Sequence, residues 1–225
     1  MAIAQFSSLR IVGLAFIPIA SALLNGFYNG PLFRLSPLLF WAADIALFVI
    51  APIAILFLLA KFAQISPKHY GLHFPPFGGL ESVATSVFLA IVLAITYEAA
   101  KYLGWAFTWR WYVEPDFSYG AATPSGLLRL LAAGYWALTA GLVESVFYIG
   151  LPWYLWRNHF GLAHRRRLFL FASATIFAAI HWEQGLHNVV GAFAFGFVAC
   201  LSYWKINDLW PIVGAHILID LALFL

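Results

Sequence analysis

Four ionisable residues stand inside apolar stretches of the chain: Glu144, His181, His216 and Asp220. A charge at the centre of a bilayer costs between about 2.5 and 17 kcal/mol, so each is there for chemistry or for a polar contact between helices. A carboxylate beside an imidazole can hold and deprotonate a water, and a second imidazole can donate to the oxyanion of a tetrahedral intermediate. Together they describe amide hydrolysis without a covalent step. A serine route lacks the G-x-S-x-G elbow. The H-E-x-x-H zinc motif is absent too, since the string His181-Trp182-Glu183-Gln184-Gly185-Leu186-His187 has the wrong spacing. Glu144, His181 and His216 still number three zinc ligands with an open fourth position, which keeps a zinc site as the alternative to hydrolysis without a cofactor.

The elements that must carry these groups are helices in a membrane. Of 225 residues 64% are hydrophobic and only 9% charged, against about 25% charged in a soluble domain. The expected fold is all-α, a polytopic transmembrane bundle forming a single integral membrane domain over residues 1–225. About seven apolar stretches are long enough to propose as spans: Ile11 to Phe27, Pro37 to Ala60 with a kink at Pro52, Ser82 to Leu103, Leu127 to Trp156, Leu168 to Trp182, Gly185 to Trp204, and Leu209 to the end. At about 1.5 Å per residue, Glu144 and His181 each lie roughly 20 Å along their helices, and His216 and Asp220 roughly 10 and 17 Å along theirs. The i, i+4 spacing of the last two puts them on one face. Three helices can thus bring all four to a common depth.

The remaining charges have other work. The net charge of +3 comes from twelve scattered cations, too few and too dispersed for nucleic acid, and Cys200 is the single cysteine, so no intrachain disulfide forms. With seven spans, eight cations fall on one face and four on the other, which predicts a multi-pass protein of the cell inner membrane with a cytoplasmic amino terminus. Residues 1–24 also have the make-up of a signal peptide. Residues 61–81 and 105–125 are loops, the second rich in Trp and Tyr and expected to lie along the interface over an entrance between helices. Ala192 and Gly196 form a small-residue face for close helix approach, and His187 and Asn188 are candidates to line the cavity. Arg165, Arg166 and Arg167 set topology and touch anionic lipid. Asp44 and Glu98 are also intramembrane, with no partner evident from the sequence.

Three short motifs then acquire meaning together: Glu144-Ser145-Val146-Phe147-Tyr148-Ile149-Gly150, Phe177-Ala178-Ala179-Ile180-His181, and His216-Ile217-Leu218-Ile219-Asp220. With Phe195-Gly196 and Leu209-Trp210-Pro211-Ile212, their order and spacing resemble the CPBP family of intramembrane proteases, the group that includes the CAAX-processing Rce1-type enzymes and bacterial Abi proteins. In the family pattern the motifs read E-E-x-x-x-R, F-x-x-x-H and H-x-x-x-N/D. The resemblance places the catalytic core in helices of residues 126–225. It implies that Glu144 is the general base for water, that His181 assists it, and that His216 and Asp220 stabilise the oxyanion. An ionised Asp220 would repel an oxyanion, so this residue either orients the His216 ring or carries a proton in a dry site.

The first motif departs from the family at two places. Ser145 replaces its second glutamate and Ile149 its arginine, positions i, i+4 on an α-helix, where the two would pair. Their joint loss leaves no orphaned charge. The expected function is an intramembrane endopeptidase acting on a membrane-associated, lipidated or membrane-anchored protein. The alternative is a non-catalytic membrane partner, an immunity or assembly factor on a protease-like fold. A proton-coupled transporter would carry repeat symmetry, which the sequence lacks.

Overall fold

The computed structural model describes residues 8–112, 117–162 and 164–225. The chain is helical, with no strand among the described residues. In order, the helices are α1 (Ser8–Leu23), α2 (Asn25–Leu35), α3 (Pro37–Ile45), α4 (Ala51–Ala63), α5 (Leu80–Thr108), α6 (Tyr119–Ala122), α7 (Leu127–Thr139), α8 (Leu151–Asn158), α9 (Arg166–Ala179), α10 (Leu186–Ile206) and α11 (Trp210–Phe224). Two π-helical segments interrupt the α winding. Ala46–Ile50 joins α3 to α4, just ahead of Pro52, and Ala140–Gly150 joins α7 to α8.

Local chemistry sets the ends. Ser36 accepts a hydrogen bond from the Leu38 N–H at 3.2 Å with Pro37 in the first turn, a start that opens α3. Asn207, in the left-handed region at φ 55°, closes α10 by donating its N–H to the Tyr203 carbonyl.

Four helical stretches are long and apolar enough to cross a bilayer: Pro37–Ala63, Leu80–Thr108, Leu127–Asn158 and Leu186–Ile206. The pair α1 and α2, bent by 57°, makes a fifth if it is one span. Each of the seven apolar stretches read from the sequence is helical, yet the fifth and seventh are short. With 14 and 15 residues, α9 and α11 reach only about 21 and 22 Å, less than a hydrocarbon core of about 30 Å. The α winding of α9 stops at Ala179, and in the turn Trp182–Gln184 that follows, Glu183 and Gln184 line a cavity. Non-helical backbone at membrane depth is tolerated where protein covers it or a cavity meets it. Of the signal-peptide stretch 1–24, residues 1–7 lie outside the described residues, as do 113–116 of the loop 105–125.

Packing follows the membrane rule that small residues let helices approach, since lipid gives apolar side chains no reason to hide from it. Leu80, Phe88, Ile91 and Ile95 on α5 and Leu127, Leu128 and Leu131 on α7 are exposed to the surroundings, whereas Leu93, Ala133, Ala199, Ile212 and Val213 are fully buried. α11 sits among α5, α7 and the π-helix. Gly141 permits its approach: a Cβ there would overlap the Ile217 side chain and lie 3.1 Å from the Val213 carbonyl. Gly196, beside Ala192 on α10, accepts the ring of Phe177 in the same way, a Cβ coming within 3.1 Å of it. A second cluster, in which Trp41 stacks on Trp136 at 5.0 Å, joins α3 to α7 and takes in Phe40, Phe117 and Tyr119.

Gly196→Leu should therefore force the Phe177 ring aside and cost about 1–3 kcal/mol, as overpacking does. Gly134→Leu, at a position with open space around it, should leave stability unchanged. Unfolding midpoints of the two variants in the same detergent check this, and equal midpoints would contradict the packing described.

Candidate active site

Glu144 lies midway along the π-helix Ala140–Gly150. The Leu151 N–H donates to the Val146 carbonyl, five residues back, and the wide winding is of a kind often found at functional sites. The segment is strongly apolar and its residues 145–150 are buried. Ser145 and Ile149, where the family pattern has glutamate and arginine, are each 2% exposed. That location holds a hydroxyl and an alkyl chain in the core, with no charge left over.

His181 comes just after α9. The helix expected to run to Trp182 ends instead at Ala179, and the His181 N–H donates to the Ala178 carbonyl, three residues back, in a tight turn. Its Nδ1 lies 2.8 Å from the Phe177 carbonyl oxygen. A carbonyl only accepts, so Nδ1 carries the proton and Nε2 is left as an acceptor. Phe177 thereby holds the first imidazole through its backbone. Its ring stacks on Phe195 at 5.3 Å, and both rings pack against His216, centroids at 6.0 and 4.9 Å.

His216, buried on α11, meets two carboxylates with one nitrogen. Its Nε2 is 3.8 Å from Glu144 Oε2 and 3.9 Å from Asp220 Oδ2. Both separations are slightly beyond a hydrogen bond. Glu144 Oε2 is buried and has no hydrogen-bond partner.

All four residues line one cavity of about 490 Å³. The sequence did not reveal how much else reaches it. Asp44 on α3 also lines the cavity and accepts a 2.6 Å hydrogen bond from the Tyr135 hydroxyl, a pairing across 91 positions with no local signature. Glu183, met in the sequence only within a failed zinc string, contributes an Oε2 that is buried without a partner, as is Oδ1 of Asn25 beside the same cavity. Asn188 lines the cavity and accepts from the Tyr97 hydroxyl at 2.7 Å. His187 instead packs on Trp105 and Tyr112 outside its lining. Glu98 has a partner after all, Lys101 at 3.1 Å, an exposed pair near the cavity and worth little energetically.

The amino-terminal helices fasten the turn that carries His181 and Glu183. Trp182 Nε1 donates to the Leu23 carbonyl at 2.8 Å, and Gly26 lies flat against Trp182, where a Cβ would come 2.6 Å from the ring. The bend between α1 and α2 thus seats directly on the turn. Tyr119, from the loop expected to cover an entrance, lines the cavity and its hydroxyl accepts from Asn29. Among the described residues, no three His, Cys, Asp or Glu side chains are grouped closely enough to hold a metal ion.

One protein family matches part of this chain. Residues 126–222, from the start of α7 into α11, match the family model for type II CAAX prenyl endopeptidase, Rce1-like. Over this stretch, a little under half of the chain, the sequence is similar to the CAAX/CPBP family of intramembrane proteases. Comparison with curated proteins and with solved structures gives no match. The Rce1-like region holds Glu144, His181, His216 and Asp220, while Asn25, Asp44 and Tyr97, which line the same cavity, precede it.

The Asp44–Tyr135 bond ties the preceding helices to the Rce1-like region. Tyr135→Phe should remove the donor, leave a buried carboxylate oxygen unpaired and cost about 1–3 kcal/mol. Asp44→Asn, which keeps an acceptor, should cost less. Denaturation in mixed micelles measures both, and an unchanged Tyr135→Phe protein would contradict the bond's role.

Proposed function

We propose that this chain is a glutamate-dependent intramembrane endopeptidase. The observation that carries the reading is the unpaired, buried Oε2 of Glu144, 3.8 Å from His216 Nε2 in a protein-lined cavity. A carboxylate kept free of partners is a proton acceptor in waiting. In the proposed reaction a water in the cavity is held between Glu144 and His181 Nε2, both acceptors. Glu144 takes its proton as the oxygen attacks the scissile carbonyl, and the carbonyl π pair moves to oxygen. The resulting oxyanion accepts from His216 Nε2–H. Glu144 then returns the proton to the leaving amine as the C–N bond breaks, so atoms and charge balance. Asp220, on the same nitrogen of His216 as Glu144, keeps the ring's N–H directed into the cavity.

The substrate in this reading is a membrane-anchored protein, prenylated as the family description implies, whose scissile segment enters from the bilayer between helices. No bound metal takes part. The cation-rich ends of the helices face the cytoplasm of the cell's inner membrane, with the amino terminus on that side. A second reading, a non-catalytic partner on the protease fold, is favoured by one observation: the family's glutamate and arginine are replaced by buried Ser145 and Ile149.

Comparing the membrane proteome with and without the protein identifies a processed substrate. Glu144→Gln and His181→Ala should each lower its processing by about 10²-fold or more, the scale of a lost general base. Full processing by both variants at normal expression would overturn the protease reading in favour of the partner. In the same assay chelators should leave processing intact. A loss that added zinc restores would assign a metal instead.

A further inference from the structure

A second cavity, of about 230 Å³, shares no residue with the first. It lies where α8 and α10 end and where the loop after α4 folds back over them, and it is lined by Lys68, His69, His73, Arg157, Asn158 and Asn207 together with aromatic residues. No aspartate or glutamate lines it. Asp208, the nearest acid in sequence, is engaged elsewhere and accepts from the Trp210 N–H at 3.0 Å. Neither Lys68 nor Arg157 has a carboxylate within 4.0 Å among the described residues.

The His69 ring and the loop that bears it are held in place. The Ser66 N–H donates to His69 Nδ1 at 2.9 Å, so that ring carries its proton on Nε2 and offers a further donor. The loop bearing Lys68 and His69 is pinned at its far end, where the Leu209 N–H donates to the Gly71 carbonyl at 2.8 Å and Trp210 Nε1 to the His73 carbonyl. Gly71, at φ 88°, lies so close to Tyr203 that a Cβ would stand 2.7 Å from its ring. The cleft is therefore a preformed concavity with two unpaired cations, imidazole and amide donors, and no anion of its own.

We propose that this cleft binds a phosphate-bearing anion, with the Arg157 guanidinium donating in fork geometry to two phosphate oxygens and Lys68 supplying a point charge. Its place at the ends of two membrane-spanning stretches, beside Trp153 and Tyr154, sets it at headgroup level, where basic pockets between helices take lipid phosphates. A lipid headgroup and a free phosphate present the same chemistry, and the test separates them.

The full chain in neutral detergent is titrated with dihexanoyl phosphatidylglycerol, dihexanoyl phosphatidylcholine and inorganic phosphate, with binding read by native mass spectrometry. Phosphatidylglycerol should bind more tightly than phosphatidylcholine, and Lys68→Gln/Arg157→Gln should raise its Kd at least tenfold without moving the ligand-free melting midpoint. Lys205→Gln, outside the cleft, should leave Kd unchanged. Should the double variant fold poorly, Lys68→Gln alone, at an exposed side chain, should still weaken binding severalfold. Inorganic phosphate binding as tightly as phosphatidylglycerol would assign a free phosphate as the ligand, and weaker binding would assign the lipid. No binding of either by the unmodified chain, equal affinity for phosphatidylcholine, or a Kd indifferent to Lys68 and Arg157 would overturn the proposal.

Discussion

A carboxylate oxygen without a hydrogen-bond partner, buried at the depth of a lipid bilayer, is the arrangement on which the rest of this structure depends. Glu144 can stay there only while protein, and not lipid, surrounds it on every side. That requirement explains why helices in contact with the bilayer carry bare apolar faces while polar residues turn to a shared cavity. It also explains the close fit of α11, whose approach at Gly141 brings His216 within reach of Glu144. A larger residue at position 141 would hold off the one helix that supplies an imidazole and a second carboxylate to the same place.

The short helices take their lengths from the same demand. α9 and α11 do not need to cross the membrane, because their task is to end or pass at the cavity. His181 occupies a turn whose backbone would be costly in lipid and is inexpensive beside a polar cavity. The Rce1-like region does not enclose this space alone. Asp44, Asn25 and Tyr97 come from the preceding helices, and Trp182 locks to the α1–α2 bend, so the region outside the family match forms part of the cavity wall.

Much of this was legible in the sequence because the chain has so few charges. Glu144, His181, His216 and Asp220 stood out against apolar surroundings, and helix-rise arithmetic was enough to place them at similar depth. The π winding around Glu144 was not legible, since an apolar stretch serves either winding and its choice depends on what packs beside it. Nor could hydropathy separate a full crossing from a helix of 14 or 15 residues that stops at a cavity. Asp44 was visible as a buried charge, yet its partner Tyr135 lies 91 residues away. Glu183 carries no local signature beyond a spacing that fits no zinc motif, and only the fold shows the turn that buries its oxygen.

The central claim is that Glu144, which activates the water, and His216, which donates to the oxyanion, act as one unit in a single step. A double-mutant cycle on processing of the identified substrate, with Glu144→Gln, His216→Ala and the two combined, measures this most directly. Residues that act as a unit lose their contribution together, so the combined variant should be no slower than the slower single one. Losses that multiply across the two substitutions would mean that the residues work independently, and would contradict the account.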